Sequence, residues 1–238
     1  MNSYILLTGA NSGIGQTIAK KLSIKHNLIL CARDTNRLQS TRNSLHNPKN
    51  HKIFLADLND ITSLEKSIHL LLQEMEIESF IHCAGINYAS YAKKFSYEEM
   101  LFCANVNLYS AMSICKALLK KNTKKYLKNI IFISSIASKK CEAGDGFYAS
   151  TKAGLDAYMK SLSLELAPEI KVNSILPGTI FDTKMAKIIY DSQTKERVLK
   201  KYPLGEGRVE DIAEAVAFLL QSGWITGQQI VVDGGYSV

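Results

Sequence analysis

Thr8-Gly9-Ala10-Asn11-Ser12-Gly13-Ile14-Gly15 joins a short apolar run, Tyr4–Thr8, to a segment with Ile14, Ile18, Ala19 and Leu22 along one helical face. A strand that turns through glycines straight into a helix brings free main-chain N–H groups and the positive end of the helix dipole to one point. The glycines allow a tight turn, close backbone approach to a pyrophosphate, and close packing of helix on strand. The spacing is GxxxGxG, which differs from the longer-known GxGxxG. The strand–turn–helix context therefore carries the reading of a dinucleotide site as much as the glycines do.

Outward from this turn, apolar runs alternate with helical patterns to the end of the chain. The runs are Tyr4–Thr8, Asn27–Ala32, Lys52–Ala56, Ser79–Cys83, Asn129–Ser134, Lys171–Leu176 and Gln229–Val232. They are continuous, as in strands covered on both faces. Helical spacing marks Ile61–Met75, Val106–Leu119, Phe147–Leu166 and Val209–Leu220. This alternation predicts an α/β fold, a doubly wound parallel sheet of about seven strands with right-handed crossovers. No linker or repeat interrupts it, so residues 1–238 read as a single domain. Gly178–Arg208 shows neither period clearly, and residues 179–207 are a candidate substrate lid.

Composition agrees with a globular protein: 46% of the 238 residues are hydrophobic and 21% charged. The N-terminus reads as a strand and not as a signal peptide, and no window reaches the ~18 apolar residues of a membrane span. A cytoplasmic location is expected. Cys31, Cys83, Cys103, Cys115 and Cys141 are scattered without a CxxC pair, so neither metal-ligand spacing nor a disulfide framework is expected. The net charge of +7 is spread over lysine pairs, with no nucleic-acid motif. A solvated basic surface is the simpler reading.

The end of the second strand bears on cofactor choice. NAD enzymes commonly place an acid there for the ribose 2′-hydroxyl. Here the sequence is Cys31-Ala32-Arg33-Asp34. Ala32 stands where the acid is expected, and the Arg33 guanidinium suits a 2′-phosphate. NADP(H) is favoured over NAD(H), with Asp34 an awkward neighbour.

Tyr148 and Lys152 are four apart at the start of a helix and share a face. A phenol with an ordinary pKa near ~10 exchanges protons poorly at neutral pH, and a nearby cation favours the phenolate. Ser135 closes the apolar strand that precedes this helix. A serine there can donate to a carbonyl oxygen gaining charge, or simply cap a turn.

In this order, these residues resemble the short-chain dehydrogenase/reductase family over essentially the whole chain. The matching pieces are TGANSGIG at 8–15, Asp57-Leu58, Ala84-Gly85, Asn107, Ser135, Tyr148/Lys152, Pro177-Gly178, Thr183, and the tail from Ile225-Thr226-Gly227-Gln228 to Val232-Asp233-Gly234-Gly235. The resemblance implies a Rossmann-like fold and a catalytic tetrad. Tyr148 would exchange the proton. Lys152 would lower the phenol's pKa and hold the nicotinamide ribose. Ser135 would bind the substrate oxygen, and Asn107 would position a relay water. Asn105 is a nearby alternative, set aside because an apolar residue, Leu108, follows Asn107. Gly9, Asn11, Ser12, Gly13, Ile14, Gly15, Arg33, Asp57, Leu58, Ala84, Gly85, Pro177, Gly178, Ile180 and Thr183 would line the cofactor; Asp57 and Leu58 would touch adenine, and Ile180 and Thr183 the nicotinamide amide.

Two departures from the family pattern stand out. His82-Cys83-Ala84-Gly85 replaces Asn-Asn-Ala-Gly, with His82 read as a packing and hydrogen-bonding substitute. Ser12 stands where many NADP members carry a base, so Arg33 carries that case alone. Within the family, the chain looks most like bacterial 3-oxoacyl-[acyl-carrier-protein] reductases of fatty acid biosynthesis. Reduction or oxidation of another small ketone, sugar or polyketide-like alcohol is the alternative. A nicotinamide-binding regulator without turnover is a third reading, disfavoured by the Tyr–Lys pair. The likeness further implies a homotetramer, with contacts from 156–166 (Tyr158, Met159, Leu162, Leu166) and from the tail 228–238. The Lys120–Lys128 run is a candidate docking rim for an acidic carrier protein, or simply a basic helix end. The substrate itself, carrier-bound or a free small carbonyl, stays open.

Overall fold

Strands form where the apolar runs predict them, with ends shifted by a residue or two. In the computed structural model, which describes residues 3–238, they are β1 (Tyr4–Thr8), β2 (Asn27–Ala32), β3 (Lys52–Leu55), β4 (Ile77–His82), β5 (Asn129–Ile133), β6 (Lys171–Pro177) and β7 (Gln229–Val232). All pair in parallel, in the order β3-β2-β1-β4-β5-β6-β7. The chain winds one way from β1 to β3 and the other way from β4 to β7. The crevice between the C-terminal ends of β1 and β4 is therefore the switch point, where open α/β sheets bind ligands.

The helices are α1 (Gly13–Leu22), α2 (Thr35–Asn43), α3 (Ile61–Glu74), α4 (Tyr97–Ala104), α5 (Ser110–Leu118), α6 (Lys121–Lys124), α7 (Gly146–Leu166), α8 (Lys184–Ile189), α9 (Ser192–Leu199) and α10 (Val209–Gln221). Alternation along the strands divides the core into two slabs. Leu6, Ile29, Ile130 and Phe132 face the slab covered by α3, α5 and α7. Ile5, Leu7, Leu28, Leu30 and Ile131 face the slab under α1 and α10. Phe80 and Phe132 meet edge-on at 6.4 Å and are fully buried, which ties β4 to β5 just below the crevice. Truncating such a ring to alanine costs about 3–5 kcal/mol.

Several elements depart from the sequence expectation. Helix α2 buries only Leu38 and Thr41, too little to show a period, and is fixed instead by the Asp34 carboxylate accepting from Arg37 N at 3.0 Å. The helix expected from Val106 begins at Tyr97, behind a capping box of Ser96 and Glu99. It then widens into a π-turn over Asn105–Tyr109 before α5. The irregular stretch before Arg208 holds α8 and α9, capped by Thr183 and Asp191.

Two expectations are overturned. Met159, Leu162 and Leu166, expected at subunit contacts, point into the chain's own core, and Tyr158 packs against it. The large apolar side chain that α7 exposes is Leu164. The Lys120–Lys128 run lies at the N-terminal edge of the sheet, where Lys128 N donates to Glu78 O and Lys171 N donates to Lys128 O. That edge is opposite the crevice, so these lysines do not rim its mouth. Among the described residues, no helix is long and apolar enough to cross a membrane.

Candidate active site

A cavity of about 970 Å³ opens at the C-terminal ends of β1, β4, β5 and β6. That is the upper part of the size range of small-molecule and cofactor pockets. One end is built mostly of backbone. Gly9 adopts φ +68°, and a side chain there would drive into the Ala84 backbone at 2.8–2.9 Å. A Cβ at Gly15 would overlap the carbonyl oxygen of Gly9. The turn is thus held between α1 and the β4 loop with room only for hydrogen. Asn11, Ser12, Gly13 and Ile14 complete it along the cavity wall. This glycine cradle at the start of a helix fits the pyrophosphate of a dinucleotide.

Farther along this end lie Arg33, Asp57 and Leu58. Asp34 lines the cavity beside Arg33, with its Oδ1 accepting from Arg37 N to cap α2. Arg37, one turn into α2, also lines the cavity. α2 buries too little to show a helical period in the sequence, so the signal for Arg37 is the Asp34 cap, which puts positions 33 and 37 at the same helix start. Two cations therefore stand where one was expected.

Across the sheet, Ala84 and Gly85 follow β4, and Ser135, Tyr148 and Lys152 converge from β5 and α7. Lys152 is 3% exposed, and its Nζ donates to Ile133 O at 2.9 Å. Burial lowers its pKa from 10.5 to about 8. Burial also pushes the Tyr148 phenol up to about 12, with the adjacent Ser135 hydroxyl pulling the other way. The sequence reading expected Lys152 to draw this phenol down. In the structure the ammonium lies 5.9 Å from the ring centroid and is bonded elsewhere, so desolvation wins. Ser135 Oγ accepts from Ala137 N at 3.2 Å, the capping role the sequence allowed, and also faces Tyr148.

Asn107 differs from the others, for its side chain does not reach the cavity. It is fully buried in the π-turn. Its Oδ1 accepts from Ile86 N at 2.8 Å, and its Nδ2 donates to Ile86 O at 2.9 Å and Thr151 Oγ1 at 3.0 Å. The carboxamide thereby fixes the loop after Gly85 against α7. The expected grip on a relay water is corrected to this extent: the amide hydrogens are taken by protein, and the main-chain carbonyls of the π-turn remain. Gly85 lies between the parts, since a Cβ there would come 3.2 Å from Lys152 Nζ and 3.5 Å from Asn107 Oδ1.

Pro177, Gly178, Ile180 and Thr183 form the wall beyond β6. Thr183 Oγ1 donates to Ile180 O at 2.8 Å and caps α8. Its methyl group lies against Gly13, 3.5 Å from where a Cβ would stand, so the segment before α8 reaches the glycine turn. The far end is aromatic and charged. Tyr202 stacks on Tyr236 at 4.8 Å. Glu142 accepts from Tyr236 Oη at 2.5 Å and pairs with Lys201 at 2.7 Å. Lys140, Lys184, Arg197 and Tyr190 complete it. None of these was singled out from sequence. Tyr236 belongs to the tail expected at subunit contacts, and part of that tail instead closes the cavity.

The sequence model of the family described as enoyl-(acyl carrier protein) reductase matches residues 9–237. Carbonyl reductase family member 4 of Danio rerio is 31% identical, covering 99% of this chain and 98% of its own. The 3-oxoacyl-[acyl-carrier-protein] reductase FabG of Rickettsia bellii is 33% identical, covering 97% of this chain and 95% of its own. A solved short-chain dehydrogenase/reductase from Brucella melitensis, described as a glucose/ribitol dehydrogenase, superimposes with a TM-score of 0.90 at 28% identity, over 100% of this chain and 97% of its own. An actinorhodin polyketide ketoreductase solved with NADPH gives 0.89 at 26%, over 99% and 97%. The chain belongs to the short-chain dehydrogenase/reductase family. It is accordingly an oxidoreductase acting on carbonyl or CH–OH groups, in a family that binds nicotinamide cofactors.

Proposed function

We propose that the protein is an NADP(H)-dependent reductase of 3-oxoacyl groups carried on acyl carrier protein. The observation that carries this is one cavity with Arg33 and Arg37 at its cofactor end and Ser135, Tyr148 and Lys152 at its other end. Bound there, a reduced nicotinamide supplies a hydride to the carbonyl carbon. Ser135 Oγ and Tyr148 Oη both donate to the substrate oxygen as it gains charge, and the Tyr148 proton passes to it. With its pKa pushed up to about 12, Tyr148 is protonated at neutral pH and serves as a loaded acid. Lys152 supplies positive charge beside it and replaces the lost proton through solvent held at the π-turn. Gly9 to Gly15 and Ala84 hold the pyrophosphate side, and Ile180 and Thr183 the nicotinamide side. Residues 179–207, with α8 and α9, act as the lid.

The carrier reading draws support from the relatives' names and from the lid. Lys184 and Arg197 line the mouth and pair with no carboxylate among the described residues. They, and not Lys120–Lys128, are the basic groups an acidic carrier would meet. A free small carbonyl is the second reading, favoured by the similarity to carbonyl reductase family member 4. We place the enzyme in the cytoplasm as a homotetramer, with exposed Leu164, Phe218 and Trp224 at subunit contacts.

Catalytic efficiency on acetoacetyl-acyl carrier protein, compared with a simple acetoacetyl thioester across a salt series, tests the substrate. A carrier advantage that shrinks with salt, and again in Lys184→Glu/Arg197→Glu, is the expected result. No advantage at low salt moves the protein to the small-carbonyl reading.

A further inference from the structure

His82 ends β4 directly opposite Thr8, its register partner on β1. It is completely buried. Thr8 Oγ1 receives main-chain hydrogens from Cys83 N at 3.2 Å and Ala84 N at 3.3 Å. Both acceptor positions of that oxygen are then filled, and its own hydrogen points to His82 Nδ1, 3.0 Å away. Nδ1 must accept, so the neutral ring carries its hydrogen on Nε2. Nε2 is buried without a hydrogen bond of full geometry, and the Val106 and Asn107 carbonyls are the backbone acceptors that act on the ring. These carbonyls belong to the π-turn, where the regular i→i+4 ladder is broken. Burial, reinforced by the nearby Lys152 ammonium, lowers the imidazole pKa to about 3 and keeps the ring neutral.

An orphaned donor aimed at displaced carbonyls, beside the residue pair that moves the proton, calls for a role. We propose that His82 is a positioning residue: locked by Thr8 as the Nε2–H tautomer, it ties the glycine turn to the Asn107 π-turn and holds the carbonyls past which Lys152 is reprotonated. The role rests on the reductase reading for its kinetic consequence, though not for its tautomer. Thr8 keeps its grip on Cys83 N and Ala84 N without the imidazole, so cofactor affinity is little affected. The chemical step is what depends on the ring. Asparagine, which the family has at this position, offers one acceptor and one donor and substitutes in kind.

The experiment has two arms. In the first, His82→Leu lowers kcat for acetoacetyl-thioester reduction at least about tenfold, with the KM for NADPH within about threefold, while His82→Asn stays within about threefold of wild type in both. Equal losses in the two variants, or native kcat in His82→Leu, overturn the proposal. In the second, ¹⁵N resonances of the His82 ring in the wild-type protein report the tautomer whether or not the variants fold. Hydrogen on Nε2 alone is expected. Hydrogen on Nδ1, or an imidazolium titrating near neutral pH, overturns it. A wild-type protein that reduces no carbonyl refutes the reductase reading, and the second arm then still decides for His82.

Discussion

The two ends of the cavity are built from different material. The pyrophosphate wall at the cofactor end is main chain: a glycine turn, the Ala84 backbone and a helix start, gathered at the C-terminal ends of adjacent strands β1 and β4. The other end is side chain: Lys140 and Glu142 after β5, Tyr190 to Tyr202 from the segment around α9, and Tyr236 from the tail. A pyrophosphate demands close main-chain approach, which few residues permit, so one solution recurs with recognisable glycines. A substrate mouth can be assembled from many side-chain sets, so its chemistry varies on a fixed frame. In this molecule the frame reports the class of reaction, and the variable end reports what is acted on.

The contrast can be broken most severely at Gly15. Its Cβ would overlap the Gly9 carbonyl, so Gly15→Ala should weaken NADPH binding by at least about a hundredfold, read by fluorescence titration. Native affinity in a folded variant would show that the backbone is not what builds this end.

Lys152 joins the two ends and gives the next effect. Its lowered pKa means that the ammonium loses its proton as pH rises through about 8. The kcat/KM for NADPH, which reports groups in the free enzyme, should therefore fall on the alkaline side with a limb near that value. Tyr148, pushed up to about 12, does not titrate there. Lys152→Arg should move the limb above the measurable range, at reduced rate. A limb unchanged in that variant assigns it to another group.

Smaller effects sharpen the contrast. Arg33→Ala and Arg37→Ala should each reduce the preference for NADPH over NADH by about tenfold, because each removes one charge-assisted contact to a 2′-phosphate. An unchanged preference in both would assign the discrimination to other residues.

The limits of the sequence reading follow the same division. The strands and the glycine turn were legible because buried parallel strands are continuously apolar and the turn is sterically constrained. Ser135, Tyr148 and Lys152 were legible from order and spacing. Helix α2, with only Leu38 and Thr41 buried, carried no period, and Arg37 was lost with it. Asn107 falls within the predicted Val106–Leu119 helix, and neither its π-turn nor the hold of Ile86 and Thr151 on its carboxamide could be read, because a π-turn leaves no mark in hydrophobic spacing. The Lys120–Lys128 run precedes the strand that leads to Ser135, yet a strand has two ends, and the run lies at the far one. Glu142, Lys201 and Tyr236 meet from positions remote in the chain, which only the folded structure brings together.

In the proposed reaction Tyr148 delivers the proton within a site whose cofactor end stands independently of it. Pre-steady-state mixing of Tyr148→Phe with NADPH and an acetoacetyl thioester tests both halves at once. NADPH should bind with near-native affinity, because the phenol takes no part in the glycine cradle, while oxidation of NADPH slows by at least about a hundredfold. Native-rate oxidation in this variant would contradict it.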